Sequence, residues 1–268
     1  MRERIDTDEQ RAYWNAISDD YQQITRIQCE DFHYGPQIPG ESLLELLPEF
    51  APGDTSLELG CGAAQNSIWL AERGVKCLAI DVSETQLAHA RVLAAEHKMS
   101  IRFLRGELET FRSLVGEECF DFVHSSHALE FVNDPAIVVK DMAACLKPGG
   151  SLMISTVHPL YNGEWISGTL EGESADAALM SDGLFLTNYF SPPDDVRDEP
   201  EGYAISRAHP ISDWFRWLRA AGLDVVALEE PPAITDAPYS SDDWADHDGQ
   251  LDAIPSTVIF VAVMRSGK

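Results

Sequence analysis

Lysine is scarce in this chain: five residues among 268, within 19 basic residues set against 45 acidic ones, for a formal net charge of −26. So acidic a surface repels phosphate backbones and anionic lipids, which argues against nucleic acid and membrane surfaces as partners. The imbalance itself reads as a solubility or salt-adaptation trait of the host. Cysteine is sparse and unpaired. Cys29, Cys61, Cys77, Cys119 and Cys145 are odd in number, scattered and free of any C-x-x-C pair, which excludes a disulfide framework and a structural zinc site and suits a reducing compartment. Long apolar runs are missing as well, since nothing approaches the ~18 consecutive residues of a membrane span. The opening "MRERIDTDEQRAYWN" lacks the apolar stretch of a signal peptide, and internal repeats are absent. What remains is 44% hydrophobic, enough for a buried core. The expectation is a cytoplasmic protein, monomer or homodimer.

From about residue 55 to 157, short apolar runs alternate with helical patterns, the signature of a parallel sheet built from βαβ units. "TSLELG", "KCLAID", "IRFLRG", "FDFVHSS" and "GSLMIST" read as five strands. "AQNSIWLAERG" is a helix stopped by Gly74, and Ser83 opens another with an S-x-x-Q capping box to Gln86. Residues 158–205 break the rhythm with Gly, Pro and Asp while carrying Trp165, Phe185, Tyr189 and Phe190, as a substrate cap would. "ISDWFRWLRAAG" then places Trp214, Trp217, Leu218 and Ala221 on one helix face against the sheet, with Ser212 as N-cap and Gly222 as the stop. "LDVVALEEP" and the uncharged "STVIFVAVM" complete the strands. The domain layout expected is 1–50 a helical lid, 51–157 the core, 158–205 an insertion and 206–268 the elements that finish the sheet.

The stretch "LELGCGAAQN" ends a strand in Gly-x-Gly before a helix, so the backbone can approach a ligand and aim free N–H groups at it. Dinucleotide sites add a small residue where this chain has Gln65, which disfavours that reading. Asp81 closes the second strand 19 positions after Gly62, placing a carboxylate beside the neighbouring turn, where it can accept from two ribose hydroxyls.

With "LELGCGAAQNSIWLA", "AIDVSETQLAHAR", "FLRGELETF", "FDFVHSSHALEFV" and "LKPGG" in order, the chain resembles class I S-adenosylmethionine-dependent methyltransferases of the small-molecule, type 11-like kind. The match runs clearly over residues 10–157 and more loosely over 205–265. It implies an α/β, Rossmann-like, doubly wound sheet of seven mostly parallel strands, with an N-terminal helical lid and an insertion after strand five. Its cofactor would be S-adenosyl-L-methionine, leaving as S-adenosyl-L-homocysteine. Gly60, Cys61 and Gly62 would line the methionine portion, with Glu58 behind its amino group. Asp81 would hold the ribose and Val82 pack on the adenine. Gly106, Glu107 and Leu108 would edge the base, and Ser125 would sit beside the sulfonium. Ala64 departs from the family's usual third glycine. Asn66 and Gln86 carry two readings each, a donor contact or a helix start and cap.

A phenol or alcohol acceptor calls for a base, and a neutral amine does not. His127, after the fourth strand, is the first candidate for base or acceptor-orienting group, and the resemblance of "YWNAISDDYQQ" to a helix that closes over the donor adds Tyr21 as a second candidate, covering the donor or orienting the acceptor. His124 should face the other way by strand alternation, and the His-x-x-His pair without a third ligand is not read as a metal site. The resemblance also places Tyr13, His33 and Tyr34 at the donor cover or acceptor, and Tyr189, Phe190 and His209 at the far wall of the acceptor pocket. Trp14 reads as core. The function expected is methyl transfer to N or O of a small, natural-product-like molecule; tRNA or protein methylation and a non-catalytic donor-binding regulator are the alternatives.

Overall fold

The computed structural model describes residues 4–161, 163–166, 183–241, 248–251 and 253–265. Residues 167–182 of the expected insertion, and the Trp165 side chain, lie outside that description. The main sheet comprises β1 (Thr55–Leu59), β2 (Lys76–Asp81), β3 (Arg102–Arg105), β4 (Phe120–Ser126), β5 (Leu146–Val157), β6 (Leu223–Glu229) and β7 (Thr257–Met264). Their order across the sheet is β3-β2-β1-β4-β5-β7-β6. Pairing is parallel from β3 through β5, and β7 runs antiparallel to both of its neighbours. This is the seven-stranded, mostly parallel α/β sheet that the run of apolar segments implies.

Both faces of the sheet are covered, which explains why its central strands are apolar almost throughout rather than alternating. On one face Leu57, Leu59, Val123 and Leu152 pack with Val138 and Met142 of α4 (Pro135–Ala144) and with Trp214 and Leu218 of α5 (Ile211–Ala220). On the other, Phe122, Met153 and Ile259 meet Trp69 and Leu70 of α2 (Gln65–Glu72), and Ala79 meets Leu87 and Ala90 of α3 (Glu84–Glu96). Helix α5 begins two residues earlier than the Ser212 cap implies: Pro210 is its N-cap, its fixed φ of −51° suiting a helix entry, and no side chain caps it. No helix among the described residues is long and apolar enough to cross a membrane.

The 18-residue helix α1 (Thr7–Ile24) lies over the sheet's C-terminal edge. Asp6 caps it, accepting from the amides of Asp8 and Glu9. Side chains tie it to the start of α3: Asn15 Oδ1 accepts from the Ser83 hydroxyl at 2.8 Å, and Gln22 Nε2 donates to Gln86 Oε1 at 3.0 Å. A hairpin of Asp195–Glu199 and Gly202–Ser206 packs beside α1, so closely that a Cβ at Gly202 would lie 2.4 Å from the Glu9 carbonyl. This hairpin spans the 205/206 boundary expected from the sequence, because strand pairing carries it through Ser206.

Candidate active site

The strand order reverses between β1 and β4: β1 pairs with β2 on one side and β4 on the other, so the loops that follow β1 and β4 leave in opposite directions and open a crevice at the carboxyl ends of the strands. Gly60 and Gly62 take φ values of +71° and +51°, turns that glycine makes at no steric cost. Ala64 follows at φ +63° as the N-cap of α2, a left-handed position where a side chain costs roughly 1 kcal/mol. Asp81, buried at the tip of β2, fixes this loop. Its Oδ2 accepts from the Gly62 amide and its Oδ1 from the Ser83 amide, each at 2.8 Å. Burial pushes its carboxyl up, and those two amides pull it back.

A cavity of about 140 Å³ lies against this loop. Gly60, Cys61, Gly62, Asp81, Val82, Gln86, Glu107 and Leu108 all line it, together with Tyr21, His33 and His127. It meets a wider chamber of about 1220 Å³ that is walled by α1, the hairpin and the region after β5. Trp14, Tyr21, His127, Phe131 and Tyr239 belong to both spaces and form the aperture between them. The Tyr21 and Tyr239 hydroxyls are hydrogen-bonded across it, and Trp14 sets its ring edge-on to Tyr21 and Phe131. Tyr13 lines the chamber only.

Several residues lie elsewhere than the sequence suggests. Trp14 is a cavity wall rather than core, because its α1 face looks across the crevice instead of onto the sheet. Ser125 is fully buried on the α4/α5 face and donates to the Leu59 carbonyl at 2.8 Å; Ser126, one residue on and so on the opposite face, reaches the cavity. Asn66 is spent on protein: Oδ1 accepts from the His33 amide and Nδ2 donates to the His33 carbonyl, both at 2.9 Å, which pins His33 to the cavity wall. Gly106 supports from behind, its amide on the Asp81 carbonyl at 2.9 Å. Tyr34 is sealed in the core beside Phe32 and donates to Glu41, away from both spaces. Tyr189 and Phe190 pack edge-on against each other, with Phe190 82% exposed, and neither is among the described residues that line these two spaces. His209 packs against Trp214 and Trp217 at the α5 end, because the stripe that buries those tryptophans carries it to the far face of the sheet. His124 stacks on Phe122 with ring centroids 4.9 Å apart, and burial pushes it down to about 3, so it does not converge with His127.

The Ser83 cap is half of the expected box. Ser83 Oγ accepts from the Gln86 amide at 3.1 Å, but the Gln86 side chain turns to Gln22 and the cavity rather than back to Ser83. Residues that carried no distinct sequence signal also shape the site. Tyr239 and Thr257 come from beyond the insertion, and Glu130 sits in the turn after β4.

Glu58, on the α2 face of β1, is buried behind the glycine loop and accepts from the Ser67 hydroxyl. Burial pushes its carboxyl up from 4.5 to about 8. The unfolded chain therefore ionises first, the native state holds the extra proton between those values, and stability falls as pH rises from about 4.5 to about 8. Glu58→Gln keeps the acceptor for Ser67 without that proton. Urea denaturation at pH 5 and pH 8 should show wild type losing on the order of a few kcal/mol more than the variant across the interval. Parallel pH curves would contradict this. The Cys61 thiol is pushed well up by burial with Asp81 and Glu58 nearby, so it packs rather than reacts.

A strand-tip carboxylate, a glycine loop feeding a helix N-terminus and a crevice at the strand-order reversal define a class: nucleotide-like donors bound by a Rossmann-type sheet. Residues 57–154 match the model of a methyltransferase domain. Over those residues the chain carries a methyltransferase domain. Among curated proteins it is similar to the ubiquinone biosynthesis O-methyltransferase of Hahella chejuensis, 36% identical over 107 residues that cover 40% of this chain and 44% of that one. A namesake from Idiomarina loihiensis is 34% identical over 45% of this chain and 49% of its own. The chain thus spans about half the length of the curated relatives it matches. Among solved structures, an S-adenosylmethionine dependent methyltransferase from Mesorhizobium loti is 24% identical, with a TM-score of 0.62 over 83% of this chain and 95% of that one. The [4+2]-cyclase SpnF is 16% identical, with a TM-score of 0.63 over 99% of this chain and 100% of its own. At these identities the structural likeness concerns the fold.

Proposed function

We propose that this protein transfers a methyl group from S-adenosyl-L-methionine to an oxygen or nitrogen of a small-molecule acceptor. The observation that carries the reading is the meeting of two spaces at one aperture, a narrow cavity on the glycine loop and Asp81, and a wide chamber beyond. The donor set fits the cofactor. Asp81 supplies a carboxylate for the ribose hydroxyls, Val82 and Leu108 supply apolar faces for the base, and Glu107 supplies an acceptor for its amine. Gly60 and Gly62 let the backbone approach the methionine portion, while Glu58 and Asn66 act through the loop and through His33. When bound, the sulfonium supplies an electrophilic methyl and loses its charge on transfer.

Around that centre the chain contributes alignment and exclusion of water. Helix α1 closes over the donor cavity through Trp14, Tyr21 and Gln22, and Asn15 and Gln22 latch it to α3. The part of the insertion that walls the chamber includes Tyr161, Asp195 and Arg197 rather than Tyr189 and Phe190. The fold is shared with a protein named for a cyclisation, so transfer itself has to be measured. Titration calorimetry should show S-adenosyl-L-methionine and S-adenosyl-L-homocysteine binding one site per chain. Labelled donor should pass its methyl into the small-molecule fraction of a lysate. Absence of donor binding by folded protein would sink the reading, and label entering only RNA or protein would redirect it.

A further inference from the structure

We propose that Glu130, His127 and Thr257 form a proton-accepting unit at the aperture, and that the acceptor's nucleophile is a weakly acidic hydroxyl, of phenol or enol type, rather than an amine. The inference rests on the methyl-transfer reading above. His127 holds φ +50°, a left-handed conformation that strains a non-glycine residue, and its amide donates to the Ser155 carbonyl at 2.9 Å. The conformation sets where the imidazole points. Its Nε2 lies 2.9 Å from Thr257 Oγ1, and its Nδ1 lies 3.1 Å from Glu130 Oε1. Gly35 backs the ring so closely that a Cβ there would stand 2.4 Å from Nε2. Glu130 is only 3% exposed, and its second oxygen accepts from the Thr156 hydroxyl at 3.1 Å.

Glu130 Oε1 lies within hydrogen-bond reach of Nδ1, so a protonated ring has a buried carboxylate to donate to. Besides Tyr21 of α1, which faces Glu130, three elements bring titratable or charged groups to this pair. Glu130 comes from the turn after β4, and Arg197 of the hairpin acts on Glu130 from across the chamber. His33, from the loop ahead of β1, is pushed down to about 3 by burial and stays neutral beside His127. In the proposed assignment Glu130 accepts the Nδ1–H, which leaves Nε2 as the basic nitrogen, accepting from the Thr257 hydroxyl. The acceptor's hydroxyl proton passes to Thr257 Oγ1 as the Thr257 hydroxyl proton passes to Nε2, while an oxygen electron pair of the acceptor forms the bond to the methyl carbon. The carbon–sulfur pair returns to sulfur, and the imidazolium donates its Nδ1–H to Glu130. A neutral amine has its lone pair free and needs no such unit, so a strained histidine held between a carboxylate and a hydroxyl has its use with a hydroxyl acceptor.

The test uses the full chain, labelled S-adenosyl-L-methionine at pH 8, and a panel of substituted phenols and catechols with benzylamines of matched size. On weakly acidic members such as 4-methylcatechol, His127→Asn, Glu130→Gln and Thr257→Val should each lower kcat by about 100-fold or more, with donor affinity within threefold of wild type. On 4-nitrocatechol, whose hydroxyl arrives largely ionised, the loss should shrink to less than about tenfold, because no proton remains to be taken. Thr257→Ser should restore most of the rate. A merely structural role would cost the same on both catechols, and that result overturns the proposal. Losses confined to KM, or transfer to benzylamines with none to any hydroxyl of the panel, overturn it too, as does donor binding without transfer to any hydroxyl. Loss of donor binding by wild type is a separate readout that counts against methyl transfer itself.

Discussion

Asp81→Ala is expected to raise the donor dissociation constant on the order of 100-fold or more and to lower the stability of the free protein. Two effects converge on this carboxylate. It stands on the donor cavity wall, and it also holds the Gly62 and Ser83 amides at 2.8 Å from either oxygen. Hydrogen bonds to a charged group contribute roughly 1.5–3 kcal/mol each, so removing both frees the glycine loop and the start of α3 before any ligand contact is counted. Asp81→Asn should fall between, since an amide offers one acceptor where the carboxylate offers two, and one backbone N–H is left facing an NH₂. The pH dependence follows from burial. With its carboxyl pushed above the ordinary value, Asp81 protonates earlier on acidification than an exposed aspartate, and a protonated carboxyl is a poorer acceptor for ribose hydroxyls. Donor affinity should hold at neutral pH and decline as pH falls through that raised value. Calorimetry against pH checks this; an Asp81→Ala variant that binds donor within tenfold of wild type would remove Asp81 from the site.

Much of this architecture is legible in the sequence because the signals are local. Five apolar runs separated by helical patterns imply the parallel half of the sheet; the observed β1 to β4 fall within them, and β5 extends beyond its run at both ends, taking in the expected turn "LKPGG". Gly60, Gly62 and Asp81 stand out by spacing along one chain segment, and the structure brings them together. The misses involve partners distant in sequence. Asn66 faces His33, 33 residues away, and nothing beside Asn66 announces that its amide is already occupied. Ser125 and Ser126 differ by one step along a strand, so choosing between them needs the side of the sheet on which the cavity opens. Glu130 and Thr257 reach His127 from the next turn and from a strand 130 residues on. Tyr239 closes the aperture because residues 239–241 pair with 25–27 at the end of α1, a match that no periodicity encodes. Tyr34 belongs to an aromatic-rich stretch, but burial at 0% exposure turns it into core.

The second large effect is expected at Gly60, where the donor loop and the His127 turn touch. A Cβ at this position would lie 2.1 Å from the Ala128 Cβ, a separation that real atoms do not adopt, and its φ of +71° strains any L side chain. Gly60→Ala must therefore either flatten the loop that carries Cys61 and Gly62 or push Ala128 outward, and Ala128 takes its neighbour His127 with it. Overpacking of this kind costs about 1–3 kcal/mol, and a displacement near 1 Å at a reacting centre costs about 100-fold in rate. We expect kcat/KM to fall at least about 100-fold, with donor affinity falling in parallel. The two causes separate in a double variant. Ala128→Gly removes the atom that the new Cβ strikes but leaves the left-handed strain, so Gly60→Ala/Ala128→Gly should recover part of the lost activity and stability, leaving a residue of roughly 1 kcal/mol from φ. That recovery is a coupling free energy between the β1 loop and the turn after β4, measured by a double-mutant cycle. Strict additivity would mean that the two loops do not meet in solution as closely as Gly60 and Ala128 do here. A positive coupling ties donor binding and the position of the His127 imidazole to a single contact, one that only glycine at position 60 permits.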